Sequence, residues 1–174
     1  MMKKILVSAL FACLFVSSIS GRCEAISIPT GLTVEKTLSL GSAVQGSIEI
    51  LNPDGEEVTI RIYQTDYVFY SDGKSEFGRP GSAPRSNASW ITYSPNQLVV
   101  PPHGRAEVSY RIAAPNNPDL RGTYWSVIVV EPVPKAALEP PSAEKDKVAI
   151  GVQALFRHAV QMITHIDDTG ERAL

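Results

Sequence analysis

Three histidines and two adjacent aspartates are the side chains of this chain best suited to metal or acid–base chemistry: His103, His158, His165, Asp167 and Asp168. Their spacing argues against both roles. His103 falls in a Pro-Pro-His-Gly turn far from the others, and the seven-residue step from His158 to His165 puts those two on opposite faces of a strand. Ser42, Ser47 and Ser109 have neither a nucleophile elbow nor a recognisable His/Asp partner. Glu56 and Glu57 follow a turn, where solvated carboxylates are the simplest reading, and the glycines sit in turns instead of forming a phosphate cradle. Arg79 and Arg85 are too few cations for a nucleic-acid patch. Asn87-Ala88-Ser89 matches a glycosylation acceptor only at the level of chance. The expectation is a protein that is not an enzyme and has no metal and no cofactor.

The chemistry that remains is recognition. From Val148 to Val152 every second residue is a large apolar one (Val148, Ile150, Val152), and Ala154-Leu155-Phe156 then leads to the cation Arg157. This alternation marks a β-strand with one apolar face. Coming after many earlier strands, it is expected at or near a sheet edge, where unpaired main-chain groups can template a strand of another chain. Two readings stand side by side. The apolar face is either the core side of a strand paired within its own sheet, or a row of side chains offered to a partner. Arg157 is either solvated or locally paired, or it grips a carboxylate with two parallel hydrogen bonds.

The elements that must position these residues follow from the rest of the chain. Residues 1–25 look like an export signal: Lys3 and Lys4 precede an apolar stretch from Ile5 to Val16, and Cys23-Glu24-Ala25 suits cleavage after Ala25. Arg22 before Cys23 does not suit a lipid-anchoring site. Loss of that segment removes both cysteines and leaves 13 basic and 17 acidic side chains, a net charge of −4. An exported domain without a disulfide depends on its apolar core, and the mature length suits one domain. Weak acidity argues against nucleic acid as partner, and no later stretch is apolar enough to span a membrane.

Strands are expected at 32–40, 45–51, 58–70, 90–93, 97–100, 106–112 and 123–130, the last the most apolar and therefore central, with Tyr124 and Trp125 as core or sheet-face residues like Trp90. Turns fall at Asn52-Pro53-Asp54-Gly55 and Pro101-Pro102-His103-Gly104, a mobile loop at 71–88 and a proline-rich loop at 132–147. About seven strands at this spacing predict an all-β, immunoglobulin-like β-sandwich over residues 26–166, with 167–174 as a tail.

Two stretches carry a family resemblance. Leu98-Val99-Val100-Pro101-Pro102-His103-Gly104, continuing through Ala113-Ala114-Pro115 to the strand Thr123–Val130 and Pro132, resembles the proline-capped strands of PapD-like periplasmic pilus-assembly chaperones. The 148–157 run resembles that family's subunit-binding edge strand. The resemblance covers about residues 32–160 and implies a PapD-like sandwich, a periplasmic or secreted location, and a pilin-like or envelope subunit as partner. It also implies that Val148, Ile150 and Val152 are donated to that subunit while Arg157 holds its C-terminal carboxylate. The chain departs from the family pattern where a second cation is expected: Leu38 stands there, with Lys36 as the nearest substitute. Leu120 and Arg121 stand where the family has Arg and Glu, and only residues 158–174 follow where the family has a second sandwich. At lower resolution the layout of Ser47–Tyr63 and Gly122–Trp125 also resembles bacterial surface Ig-like domains, which implies a structural or adhesive module contacting its partner through loops.

Overall fold

The computed structural model describes residues 26–134, 155–167 and 169, so residues 1–25 and the 148–154 part of the alternating run lie outside the described residues. Among the described residues nine strands form two facing sheets: β1 (Thr33–Leu38), β2 (Ala43–Leu51), β3 (Val58–Phe69), β4 (Ser75–Gly78), β5 (Ile91–Ser94), β6 (Gln97–Val100), β7 (Arg105–Ala113), β8 (Thr123–Pro132) and β9 (His158–Ile166). The larger sheet runs β1-β9-β8-β3-β4, with β6 also paired to β3, and the smaller runs β2-β7-β5. All pairs are antiparallel except β1 with β9, which is parallel.

The alternation that defined the strands also defines the core. On β2 and β7, Ile48, Ile50, Val108 and Ile112 point inward and are fully buried, while their odd-numbered neighbours face solvent. From the opposite sheet Ile60, Ile62, Ile128, Val130, Val160 and Met162 meet them. β8 is central, as its unbroken apolar run predicts: it is buried from Ser126 to Pro132 and flanked by β3 and β9.

The two expected turns are stitched together by one side chain. Asn52 is buried, accepts a hydrogen bond from the Asp54 backbone N–H at 3.0 Å, and donates to the carbonyls of Glu56 at 2.7 Å and Pro101 at 3.1 Å. Its backbone N–H reaches the Gly104 carbonyl at 2.9 Å. The short polar side chain thus replaces backbone partners that both turns lack.

Two expectations change. The loop at 71–88 contains β4, paired to the end of β3, and its remainder is tied to a buried carboxylate. Asp66 accepts hydrogen bonds from the backbone N–H groups of Gly81 and Ala83 and from the hydroxyls of Ser82 and Ser86. Asn87 then anchors the end of the loop in the core, donating to the Met162 carbonyl and the Thr164 hydroxyl, both at 2.9 Å. Local composition is rich in turn-formers, but the polar partners that order this segment lie on β3 and β9. The second change concerns the final strand. Residues 155–157 are exposed and outside any strand, and the last described strand starts at His158. Val160, Met162, Thr164 and Ile166 form its buried face, an alternation that the polar Thr164 within that face and the apolar Ile163 outside it make weak in apolar terms.

Candidate strand-addition site

Arg157 sits where the chain enters β9. Its guanidinium Nε lies 2.7 Å from Glu131 Oε1 on β8, and Arg61 on β3 reaches Glu131 Oε2 at 2.6 Å. The carboxylate is only 4% exposed, whereas both guanidiniums are 60% exposed. Each arginine has further N–H groups beyond the bond to Glu131, so the pair presents a positive surface around a carboxylate that is already bound. The hydrogen bond to Glu131, and then the charge of Glu131, hold the Arg61 guanidinium above its ordinary range. Arg61 also lies over the Tyr63 ring, 5.5 Å from its centroid. The geometry therefore has a guanidinium–carboxylate grip at Arg157, made with a carboxylate of this chain.

Sequence reasoning did not single out Arg61. Its place beside Glu131 follows from the β3–β8 register, in which the two residues are directly opposite, and no local pattern reports that register.

Lys36 lies elsewhere. On β1 it stands opposite Thr164, seven positions along β9 from Arg157, roughly 23 Å away at strand spacing. The structure does not bring Lys36 and Arg157 to one carboxylate. Val148, Ile150 and Val152 lie outside the described residues, and the described residues next to them, Leu155 and Phe156, are exposed.

β9 itself is paired on both sides, with β8 and with β1, so among the described residues the outer edge of this part of the sheet is β1. On the outer face Thr123, His165 and Glu35 form a row across β8, β9 and β1: Thr123 Oγ1 is 2.9 Å from His165 Nδ1, and His165 Nε2 is 2.6 Å from Glu35 Oε1. The same outer face carries tilted aromatic contacts among Tyr67, Phe69, Phe77 and Trp125, with Phe69 and Phe77 each 61% exposed.

The histidines are dispersed. His103 occupies the β6–β7 turn with φ of 51°, its Nδ1 near the Pro53 carbonyl at 2.9 Å, while His158 and His165 are at opposite ends of β9. Burial pushes the His158 imidazole below its ordinary value. Asn87 of the Asn-Ala-Ser triplet is fully buried with its amide engaged, which leaves no access for a glycan in the folded state. Among the described residues no helix is long and apolar enough to cross a membrane.

No family model and no curated protein matches the chain. Solved structures do. The PapD-like domain 7 of human CEP192 superposes with a TM-score of 0.53 at 17% identity, covering 83% of this chain and 86% of that one. The E. coli chaperone DraB gives 0.52 at 10% identity, covering 84% and 57%. A chain of the Salmonella enterica SafA pilin–SafB chaperone complex gives 0.51 at 11% identity, covering 86% and 58%. This chain thus spans under three-fifths of those bacterial chains and most of the human domain. With its two facing β-sheets and these superpositions, the chain has the immunoglobulin-like sandwich fold of PapD-like domains.

Proposed function

We propose that this chain is an exported, non-enzymatic binding protein of the periplasm or cell surface that holds fimbrial or other envelope subunits by β-strand addition. Val148, Ile150 and Val152 supply the alternating side chains, Arg157 grips a subunit carboxylate, and Lys36 contacts a separate part of the subunit. The observation that carries the reading is a sandwich similar to those of solved bacterial chaperones, together with this chain's exposed apolar Leu155-Phe156 pair and exposed Arg157 guanidinium at the point of entry into the last strand. Backbone pairing along an added strand gives affinity, and alternate side chains in pockets give selection. The internal ion pair with Glu131 sets a condition: an incoming carboxylate either displaces Glu131 from Arg157 or uses the remaining N–H groups of the guanidinium.

The test is capture of a pilin-like or envelope subunit from periplasmic extract by the wild-type protein, Ile150→Asp and Arg157→Ala. Loss of capture with unchanged circular dichroism and unfolding midpoint supports strand addition. Full capture by both variants overturns it. A structural or adhesive module, docking through the 71–88 segment, is the second reading, favoured by the exposed Phe69 and Phe77 at the β3–β4 hairpin. In that case Phe77→Ser abolishes capture and Ile150→Asp does not.

A further inference from the structure

The outer face of the smaller sheet carries a shallow concavity of about 560 Å³. Its side chains come from three strands in two rows. Gln45 of β2 and Thr92 of β5 stand directly opposite Arg111 of β7, and Ser94 of β5 stands opposite Ser109 of β7. All five are exposed. Gly46 lies opposite Tyr110, whose ring is buried on the core side, so these two lend the concavity their main chain as its floor. Arg111 is the sole charge in this lining, and among the described residues it makes no ion pair. The nearest carboxylate on its own strand is Glu107, four residues and roughly 13 Å away. Glu49, opposite Glu107, is held by Arg105 at 2.8 Å. We propose that this concavity binds a saccharide that bears carboxylates, with Arg111 as the anchor for the acidic group.

The lining decides the class of ligand. A guanidinium keeps its charge and offers its N–H groups as a planar fork that matches a carboxylate. The two rows are two residues apart, roughly 7 Å along the strands, so a sugar ring whose carboxylate meets Arg111 brings its hydroxyls to Ser109 and Ser94. The amide of Gln45 and the hydroxyl of Thr92 supply a donor and an acceptor on either side of the acidic group. None of the five side chains is apolar or aromatic, so a folded protein would find no anchor of the kind that carries protein interfaces. β7 is paired on both sides, with β2 and β5, and so offers no main-chain edge to an added strand here. One cation is too few for nucleic acid, whose affinity grows with the number of phosphates neutralised. A hydroxyl-rich ligand with well-spaced carboxylates matches one cation ringed by uncharged donors and acceptors. The volume lies within the range of about 300–1,000 Å³ typical of small-ligand sites. Because β7 belongs to the sheet that does not contain β9, this inference stands apart from strand addition.

The test is an amide NMR titration of the full chain with three probes at matched ionic strength: an oligosaccharide of glucuronic acid, an oligosaccharide of glucose, and inorganic phosphate. The acidic oligosaccharide is expected to shift the amides of residues 45–47, 92–94 and 109–111 saturably. The glucose oligosaccharide, which lacks the charge, and phosphate, which lacks the sugar hydroxyls, are each expected to bind at least about 10-fold more weakly. Arg111→Gln should lower the affinity for the acidic oligosaccharide by about 10-fold or more, and so should Ser109→Gln, which fills the concavity and keeps the charge. Lys74→Gln, which removes a cation from the β3–β4 turn, should leave it unchanged. The proposal is overturned if the acidic oligosaccharide produces no saturable shift at these amides, or if the glucose oligosaccharide binds equally well. Equal binding of phosphate overturns it too, because the site then takes a bare oxyanion. Unaltered affinity in a folded Arg111→Gln or Ser109→Gln variant, or an equal loss in Lys74→Gln, has the same consequence.

Discussion

Single side chains decide several local outcomes. Asp66 is fully buried and is held by four hydrogen bonds from the 81–86 segment, two of them from backbone N–H groups. Removing the carboxylate leaves those donors without their acceptor, and hydrogen bonds to charged groups contribute about 1.5–3 kcal/mol each without adding linearly. Asp66→Ala should therefore lower unfolding stability by roughly 3 kcal/mol and expose the 79–87 segment to protease, as a urea titration and limited proteolysis would show. His158 gives stability a pH dependence of its own. Its imidazole is pushed below the ordinary 6.5 by burial, so folding opposes its protonation. That contribution to stability is fully present above the ordinary imidazole value and is lost as the pH falls toward the depressed folded one. His158→Gln should flatten the decline in unfolding midpoint between pH 7 and 5. Equal declines in both proteins would place its origin elsewhere.

At the scale of elements, close approach matters as much as burial. On β2, Gly46 stands opposite Tyr110 of β7, and a methyl group built there would come within 2.3 Å of the Tyr110 hydroxyl oxygen. The ring is buried and packed into the core, so it cannot swing away without loss. Gly46→Ala should cost about 1–3 kcal/mol, the usual range for overpacking, and Gly46→Ala with Tyr110→Leu should recover part of it. Equal losses in the single and double variants would show that the clash is relieved elsewhere. β8 gives a second measure: Ile128 is fully buried, and Ile128→Ala should cost about 2–5 kcal/mol by chemical denaturation.

At the scale of the whole molecule, the sandwich and the proposed binding run make separable demands. If the 148–157 run serves a partner, Ile150→Asp leaves the unfolding midpoint of the isolated chain unchanged while abolishing capture. If its apolar face packs into this chain's own core, the same substitution costs several kcal/mol, because it buries an unpaired charge. One denaturation curve therefore distinguishes the two readings of the alternation. The paired arginines around Glu131 belong to this scale too, since they link β3, β8 and the entry to β9 across residues far apart in the chain.

Seven of the nine strands among the described residues, both Asx- and proline-based turns, and the central position of β8 were legible in the amino-acid order, because alternation, turn chemistry and an unbroken apolar run are local properties. β4 was hidden in a segment of glycines and serines, and β9 in an alternation diluted by the polar Thr164, which makes sense only beside Asn87, and by the apolar Ile163 on the outer sheet face. What only the tertiary structure decided is the pairing: Arg61 with Glu131 and Arg157, Glu35 with His165, and the roughly 23 Å that part Lys36 from Arg157. Those relations depend on strand register, and register is settled by how two distant stretches bury their apolar faces together, which neither stretch encodes alone.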